Sequence, residues 1–254
     1  MYFEIHGDNH PDTVLLSSGL GGSHHYWDSL IPELATRFRV VVYDQYGTGN
    51  SDGAIGEGYS VTDMAQEVNA LLSTTKTQQV HFIGHALGGL IGLQLALDAP
   101  HKVASLLLIN SWEKTDDHTR LCFEIRKRLL HESGVEMFVK AQPLFLYPAQ
   151  WIKQHAALLS EEAQKMAAAF ADTSNLLRRI TAIEQFDLSG QLHNIRCPTG
   201  IIASRDDLLV PYSCSEQLNQ AIPDSYLYFM PYGGHACNIT EPEEFRQILD
   251  HFYS

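Results

Sequence analysis

Apolar and polar positions along the chain follow two regimes. In the first, short apolar runs (Tyr2–His6, Val14–Ser18, Arg39–Tyr43, Val80–Ile83 and Val103–Asn110) are separated by turns and by stretches of helical period. Val103–Asn110 is almost unbroken, which predicts a central parallel strand covered on both faces. Trp27–Thr36 reads as an amphipathic helix, and Ser60-Val-Thr-Asp63 offers an N-cap and an acidic third residue for a helix running to about Leu72. In the second regime, from Trp112 to Gly190, strand signals vanish. Helical runs Arg120–His131, Val135–Phe145, Trp151–Leu159, Glu161–Ala171 and Asn175–Phe186 succeed one another, punctuated by Pro143 and Pro148. Alternation then resumes with Gly200–Ala203, Ser213–Ala221, Tyr226–Phe229 and Glu243–Tyr253. The pattern predicts an α/β fold. Residues 1–111 and 191–254 form a mostly parallel sheet with helices on both faces, and residues 112–190 form an inserted helical cap.

Composition narrows the partners. With 254 residues, 44% apolar and 19% charged, the chain can bury one substantial core. A net charge of −13 argues against nucleic acid, whose phosphates need a basic face. Lys/Arg and Asp/Glu nearly balance within residues 112–190, so almost all of that charge lies outside the predicted cap. Cys122, Cys197, Cys214 and Cys237 are widely spaced, there is no long apolar span, and Met1–His6 does not read as a leader. The expectation is a reduced, cytoplasmic protein that does not enter a membrane.

The chemistry centres on Val80-His-Phe-Ile-Gly-His-Ala-Leu-Gly-Gly-Leu90. An apolar run, a small-residue turn and a helical run give the layout of a nucleophile elbow, G-x-S-x-G. Gly84 and Gly88 are present, with His85 and Leu87 between them, and the nucleophile position is Ala86. Acyl transfer through a serine ester is therefore excluded. Ser18-Gly-Leu-Gly-Gly-Ser23 permits close backbone approach to a small group, or merely connects a strand to a helix. The later strands deliver Arg205-Asp-Asp-Leu-Leu-Val-Pro211 and Pro231-Tyr-Gly-Gly-His-Ala-Cys237 to the carboxyl edge of the sheet, where open α/β sheets bind ligands. Asp207 is the candidate acid, ahead of Asp206, and His235 the candidate base. Each alone also reads as a turn former or a solvated loop histidine. Cys237, Ser17 and Ser18 are weaker as substitute nucleophiles. Nothing in the sequence suggests a metal or an organic cofactor.

The elbow, Asp207 and His235, in that order, resemble the α/β-hydrolase superfamily over essentially the whole chain. The resemblance implies oxyanion donors at the Leu20 and Leu87 N–H groups. It departs from the usual pattern at Ser18, where histidine is common, and at Tyr46, where arginine is common. Gln142–Pro148, Asn175–Arg179, Asp206–Pro211 and Met230–Asn238 are similar to the pyrimidine-utilisation protein D group, which also carries alanine at the elbow. That similarity implies a native Ala86 and a role late in uracil breakdown. The implied reaction is hydrolysis of 3-aminoacrylate or carbamate by direct attack of water, releasing ammonia. Both substrates are small anions, so a cationic anchor is expected from Arg179, Arg126 or Arg120, while Arg178 is expected to point away. The expected assembly is a monomer or homodimer. A ligand-binding protein that has lost its chemistry, and a serine esterase altered at position 86, remain as alternatives.

Overall fold

Successive residues of the strand Thr13–Ser17 face opposite sides of a sheet, and each side carries its own hydrophobic core. The computed structural model describes residues 1–170 and 172–254. Its strands are β1 (Phe3–His6), β2 (Thr13–Ser17), β3 (Arg39–Tyr43), β4 (Val80–His85), β5 (Val103–Ile109), β6 (Thr199–Ser204) and β7 (Ser225–Met230). They form one sheet in the order β1-β3-β2-β4-β5-β6-β7, parallel throughout except where β1 pairs antiparallel with β3. Helices α1 (Ile31–Leu34), α2 (Val61–Thr74) and α3 (Leu87–Asp98) punctuate the first five strands. Helices α4 (Asp117–Leu146), α5 (Ala149–Gln154), α6 (Ala156–Ala168) and α7 (Thr173–Gln185) fall between β5 and β6. Helices α8 (Tyr212–Ala221), α9 (Cys237–Thr240) and α10 (Pro242–Phe252) complete the chain.

Leu15 belongs to one core with Val68, Leu90 and Leu218 of α2, α3 and α8, whereas Val14 and Leu16 belong to the other with Leu34 and Leu249 of α1 and α10. Each buried aliphatic side chain contributes about 1.5–3 kcal/mol. The interior strands β2 to β6 are buried almost end to end, as their unbroken apolar runs require, and the edge strands are half-exposed. At the start of α2 the Ser60 hydroxyl accepts from Asp63 N at 3.2 Å and the Asp63 carboxylate accepts from Ser60 N at 2.8 Å. Among the described residues no helix is long and apolar enough to cross a membrane.

Two local expectations are corrected. Trp27–Thr36 is not one helix: it divides into a 3₁₀ turn, His24–Trp27, and the short α1, because Pro32 lacks the N–H needed beyond a first turn. The break expected between His131 and Val135 falls at Gly134 (φ 79°, ψ 178°), a backbone conformation suited to glycine, and Pro143 lies inside the run expected over Val135–Phe145. The division expected at residue 160 comes instead at His155, whose ring stacks on Trp151 at 3.9 Å and whose N–H closes α5 on the Trp151 carbonyl. The helix expected over Glu161–Ala171 ends on residue 171, which lies outside the described residues.

The carboxyl ends of β4, β6 and β7 lie along one edge, and helices α4 and α7 are tied to the loops there. Thr119 Oγ1 donates to the Leu209 carbonyl at 3.3 Å. Asn175 Nδ2 donates to Gly47 O at 3.1 Å and Gly53 O at 2.8 Å, while its Oδ1 accepts from Ile55 N at 2.8 Å. The Ala236 N–H, beside His235, donates to Leu146 O at the end of α4 at 3.1 Å.

Candidate active site

The turn after β4 is strained. Ala86 adopts φ 49°, ψ −114°, a region an L-residue rarely occupies, and its N–H is held by the Ile109 carbonyl at 2.9 Å. The turn is possible because neighbouring backbone closes tightly on it: a Cβ at Gly88 would stand 2.0 Å from the Ser17 carbonyl oxygen. Ala86 caps α3 without any side-chain bond, and Leu87 opens that helix. Neither the Leu87 nor the Leu20 N–H donates to a described residue, so both remain available at a helix terminus and a glycine-rich loop.

The two adjacent aspartates separate cleanly by partner. Asp207 Oδ2 lies 2.8 Å from His235 Nδ1, and its Oδ1 accepts from Leu209 N at 2.8 Å and Val210 N at 3.0 Å. Both side chains of the pair are out of solvent, at 0% and 3% exposure. The carboxylate fixes the imidazole with its proton on Nδ1, leaving the Nε2 lone pair bare. Asp206 instead accepts from Ser204 Oγ at 2.7 Å and Gly234 N at 2.9 Å, bracing the loop that carries His235. A second buried pair, His24 Nδ1 with Asp44 Oδ1 at 2.6 Å, has no free nitrogen to offer, since Glu4 Oε1 lies 3.5 Å from its Nε2.

Cys237 is fully buried, its Sγ 3.7 Å from Asn110 Nδ2, and burial pushes its thiol up to about 12. It carries essentially no thiolate at neutral pH. Ser17 Oγ is paired with Tyr43 Oη at 2.7 Å in the buried interior. Among the described residues no cluster of three or more His, Cys, Asp or Glu is placed to hold a metal ion.

The arginines divide three ways. Arg120 is exposed and reaches only the Thr115 carbonyl, at 3.4 Å. Arg179 does not snorkel to solvent: it is 2% exposed, and it donates to Tyr46 O at 2.8 Å and Leu20 O at 3.4 Å. A guanidinium thus reaches the Asp44–Ser51 loop from α7 rather than from position 46. Arg178 is not turned away, but donates to the Ile55 carbonyl. Arg126 is 5% exposed and ringed by Phe123, Phe138 and Phe145 at 5.4–5.8 Å from their centroids. Among the described residues its one hydrogen-bond partner is Gln142 Oε1 at 2.6 Å, and its Nε has none. Burial pulls this guanidinium down to about 10, which leaves it charged at neutral pH. The first residue of the Gln142–Pro148 stretch therefore holds Arg126, a link that spacing alone did not reveal.

His85 also escaped notice as more than a spacer. Its ring is buried, stacked on Tyr26 with centroids 4.7 Å apart, and its Nε2 donates to the His235 carbonyl at 2.8 Å.

Comparison with known proteins shows the family and the fold. The family described as the alpha/beta hydrolase fold matches residues 12–242. A protein of Serratia proteamaculans, provisionally named carbamate hydrolase RutD, is 51% identical, over 98% of this chain and 94% of its own. One of the same name from Yersinia enterocolitica is 49% identical, over 98% and 90%. Among solved structures, a hydrolase from Pseudomonas aeruginosa superposes with a TM-score of 0.86 at 25% identity, over 99% of this chain and 93% of that one.

Proposed function

The chain belongs to the α/β-hydrolase family, within its RutD branch, and from that premise we propose that it hydrolyses a small anionic C–N compound, carbamate or 3-aminoacrylate, in uracil breakdown. The carrying observation is a complete, buried Asp207–His235 pair beside an elbow whose apex is a methyl group. Such a site keeps its base and its N–H donors without a nucleophile of its own. The relatives' shared name supports carbamate as one of the two substrates.

In this reading Asp207 holds the His235 tautomer, and His235 Nε2 takes a proton from a water lodged over Ala86. With 3-aminoacrylate in its imine form, the water oxygen bonds to the carbon bearing nitrogen and the C=N pair moves onto nitrogen. The imidazolium then returns its proton to that nitrogen, giving a carbinolamine. The hydroxyl proton next passes through His235 to the amine, which leaves as ammonia with the C–N electron pair as the aldehyde C=O forms. With carbamate, protonation at nitrogen lets the C–N bond break with its electron pair on the departing ammonia, giving carbon dioxide. The Leu20 and Leu87 N–H groups face negative charge that develops on oxygen, and Arg126 anchors the substrate carboxylate. Serine hydrolases stripped of a triad member keep a residual acceleration of roughly 10³–10⁴ over water. That is small for an amide and sufficient for two such labile substrates. Ammonia release from each, compared with the spontaneous rate, tests the proposal and separates the substrates.

A further inference from the structure

His85 ends β4 immediately before Ala86, and one of its ring nitrogens is unaccounted for. Nε2 faces the His235 carbonyl, which can only accept, so Nε2 carries the proton. Burial holds the ring well below the usual histidine pKa, and the nearby His235 acts in the same direction, so the ring is neutral. Nδ1 is then a bare acceptor, and it has no partner although the side chain is 97% buried (3% exposed). A buried acceptor left without a donor is costly and uncommon. Its surroundings point to the reaction centre. A Cβ built on Gly19, in the loop that carries the Leu20 N–H, would stand 3.1 Å from His85 Nδ1 and 3.6 Å from the Ala86 methyl. The lone pair and the elbow apex thus border the same face of that loop. The ring cannot swing away, being stacked on Tyr26 at 4.7 Å and packed at 4.7 Å against His235.

We propose that His85 Nδ1 accepts a hydrogen bond from the attacking water, which is held over Ala86 between two imidazoles, His85 and His235. This rests on the hydrolytic reading given above. A serine oxygen is fixed by its own covalent bond, whereas a water in its place needs two acceptors to aim its remaining lone pair at carbon. His235 Nε2 removes one proton as the O–C bond forms. The other stays on oxygen, because His85, neutral and committed through Nε2, holds that O–H without taking its proton. The oxygen becomes the hydroxyl of the tetrahedral adduct.

Two amide substitutions separate this role from a structural one. His85→Gln sets an amide near the Nε2 position, keeping the bond to the His235 carbonyl and removing the acceptor at Nδ1. His85→Asn does the reverse. Rates on 3-aminoacrylate, the substrate that water attacks, are expected to fall about 10–100-fold in kcat for His85→Gln, with KM little changed, and only a few-fold for His85→Asn. The opposite order, with His85→Asn the weaker enzyme, would show that His85 only braces His235 and would overturn the proposal. The ¹⁵N resonance of Nδ1 in histidine-labelled wild-type protein gives a readout independent of turnover. A hydrogen-bonded acceptor shift supports the water site even if neither substrate is turned over, an outcome that would sink the hydrolytic reading alone. A free lone-pair shift overturns the proposal even in an active enzyme.

Discussion

Arg126 Nη2 donates to Gln142 Oε1 at 2.6 Å, across the kink that Gly134 puts into α4. Gln142 is neutral, and among the described residues no carboxylate lies within 4.0 Å of this buried cation. Arg179, another of the three candidate anion anchors, is engaged with the Tyr46 and Leu20 carbonyls. Arg126→Met should therefore weaken binding of malonate by about 10–100-fold, the worth of a charge-assisted hydrogen bond. It should change the melting temperature little, since losing a buried charge without a carboxylate partner offsets the Gln142 Oε1 left without its donor. Arg179→Met should instead cost about 1 kcal/mol of stability by leaving the half-buried Tyr46 and Leu20 carbonyls without their donor. Calorimetry of malonate binding together with thermal melts checks both, and the reverse pattern would exchange the two roles.

His235→Ala is expected to lower kcat by about 10²–10⁴, the usual worth of a positioned base. Cys237→Ala should stay within a few-fold of wild type and cost ~1 kcal/mol of stability, because its thiol sits near 12 and packs in the core. Equal losses in steady-state assays of the two variants would count against the imidazole.

Ala86→Ser adds a hydroxyl to the elbow apex without repacking a core. If the apex lies within reach of His235, as the proposed reading requires, the variant should gain esterase activity toward a small activated ester. It should then pass through an acyl-enzyme visible as added mass on the new serine. The same hydroxyl takes the place of the attacking water, so ammonia release should slow. A folded, inert variant would mean that His235 does not face the elbow.

Stability should depend on His85. Its folded pKa is depressed by burial well below 6.5, so under acid conditions the unfolded chain binds a proton that the folded chain refuses. The contribution is fully present above pH 6.5 and is lost as pH falls from there toward the folded pKa, at up to about 1.4 kcal/mol per pH unit. Half-buried His81, also depressed by burial, adds in the same direction. Urea melts between pH 7 and pH 5 should show a steeper loss in wild type than in His85→Phe, and parallel slopes would contradict the assignment.

The strands and the edge that carries the site were legible because periodicity and turn chemistry are local. Val103–Asn110 could only be an interior strand, and Gly84 with Gly88 could only bracket a tight turn. What escaped depends on contacts between distant segments. Arg126 and Gln142 meet only because α4 folds back at Gly134, and Arg179 and Leu20 are 159 residues apart. Sequence ranks Asp207 ahead of Asp206 as the acid, but the bracing role of Asp206 appears only when Gly234 is brought to it. His85 was hidden because a histidine between Gly84 and Ala86 carries no signature of burial.

The central claim is that a His–Asp pair without a nucleophile still turns over a labile C–N substrate. Time-resolved NMR of carbamate and of 3-aminoacrylate, with wild-type protein, with folded His235→Ala and with buffer alone, tests it most directly. The account predicts that wild type accelerates ammonia release from one of them and that His235→Ala returns it toward the buffer rate. Saturable binding with decay equal to buffer for both would make this a ligand-binding protein and would contradict the account.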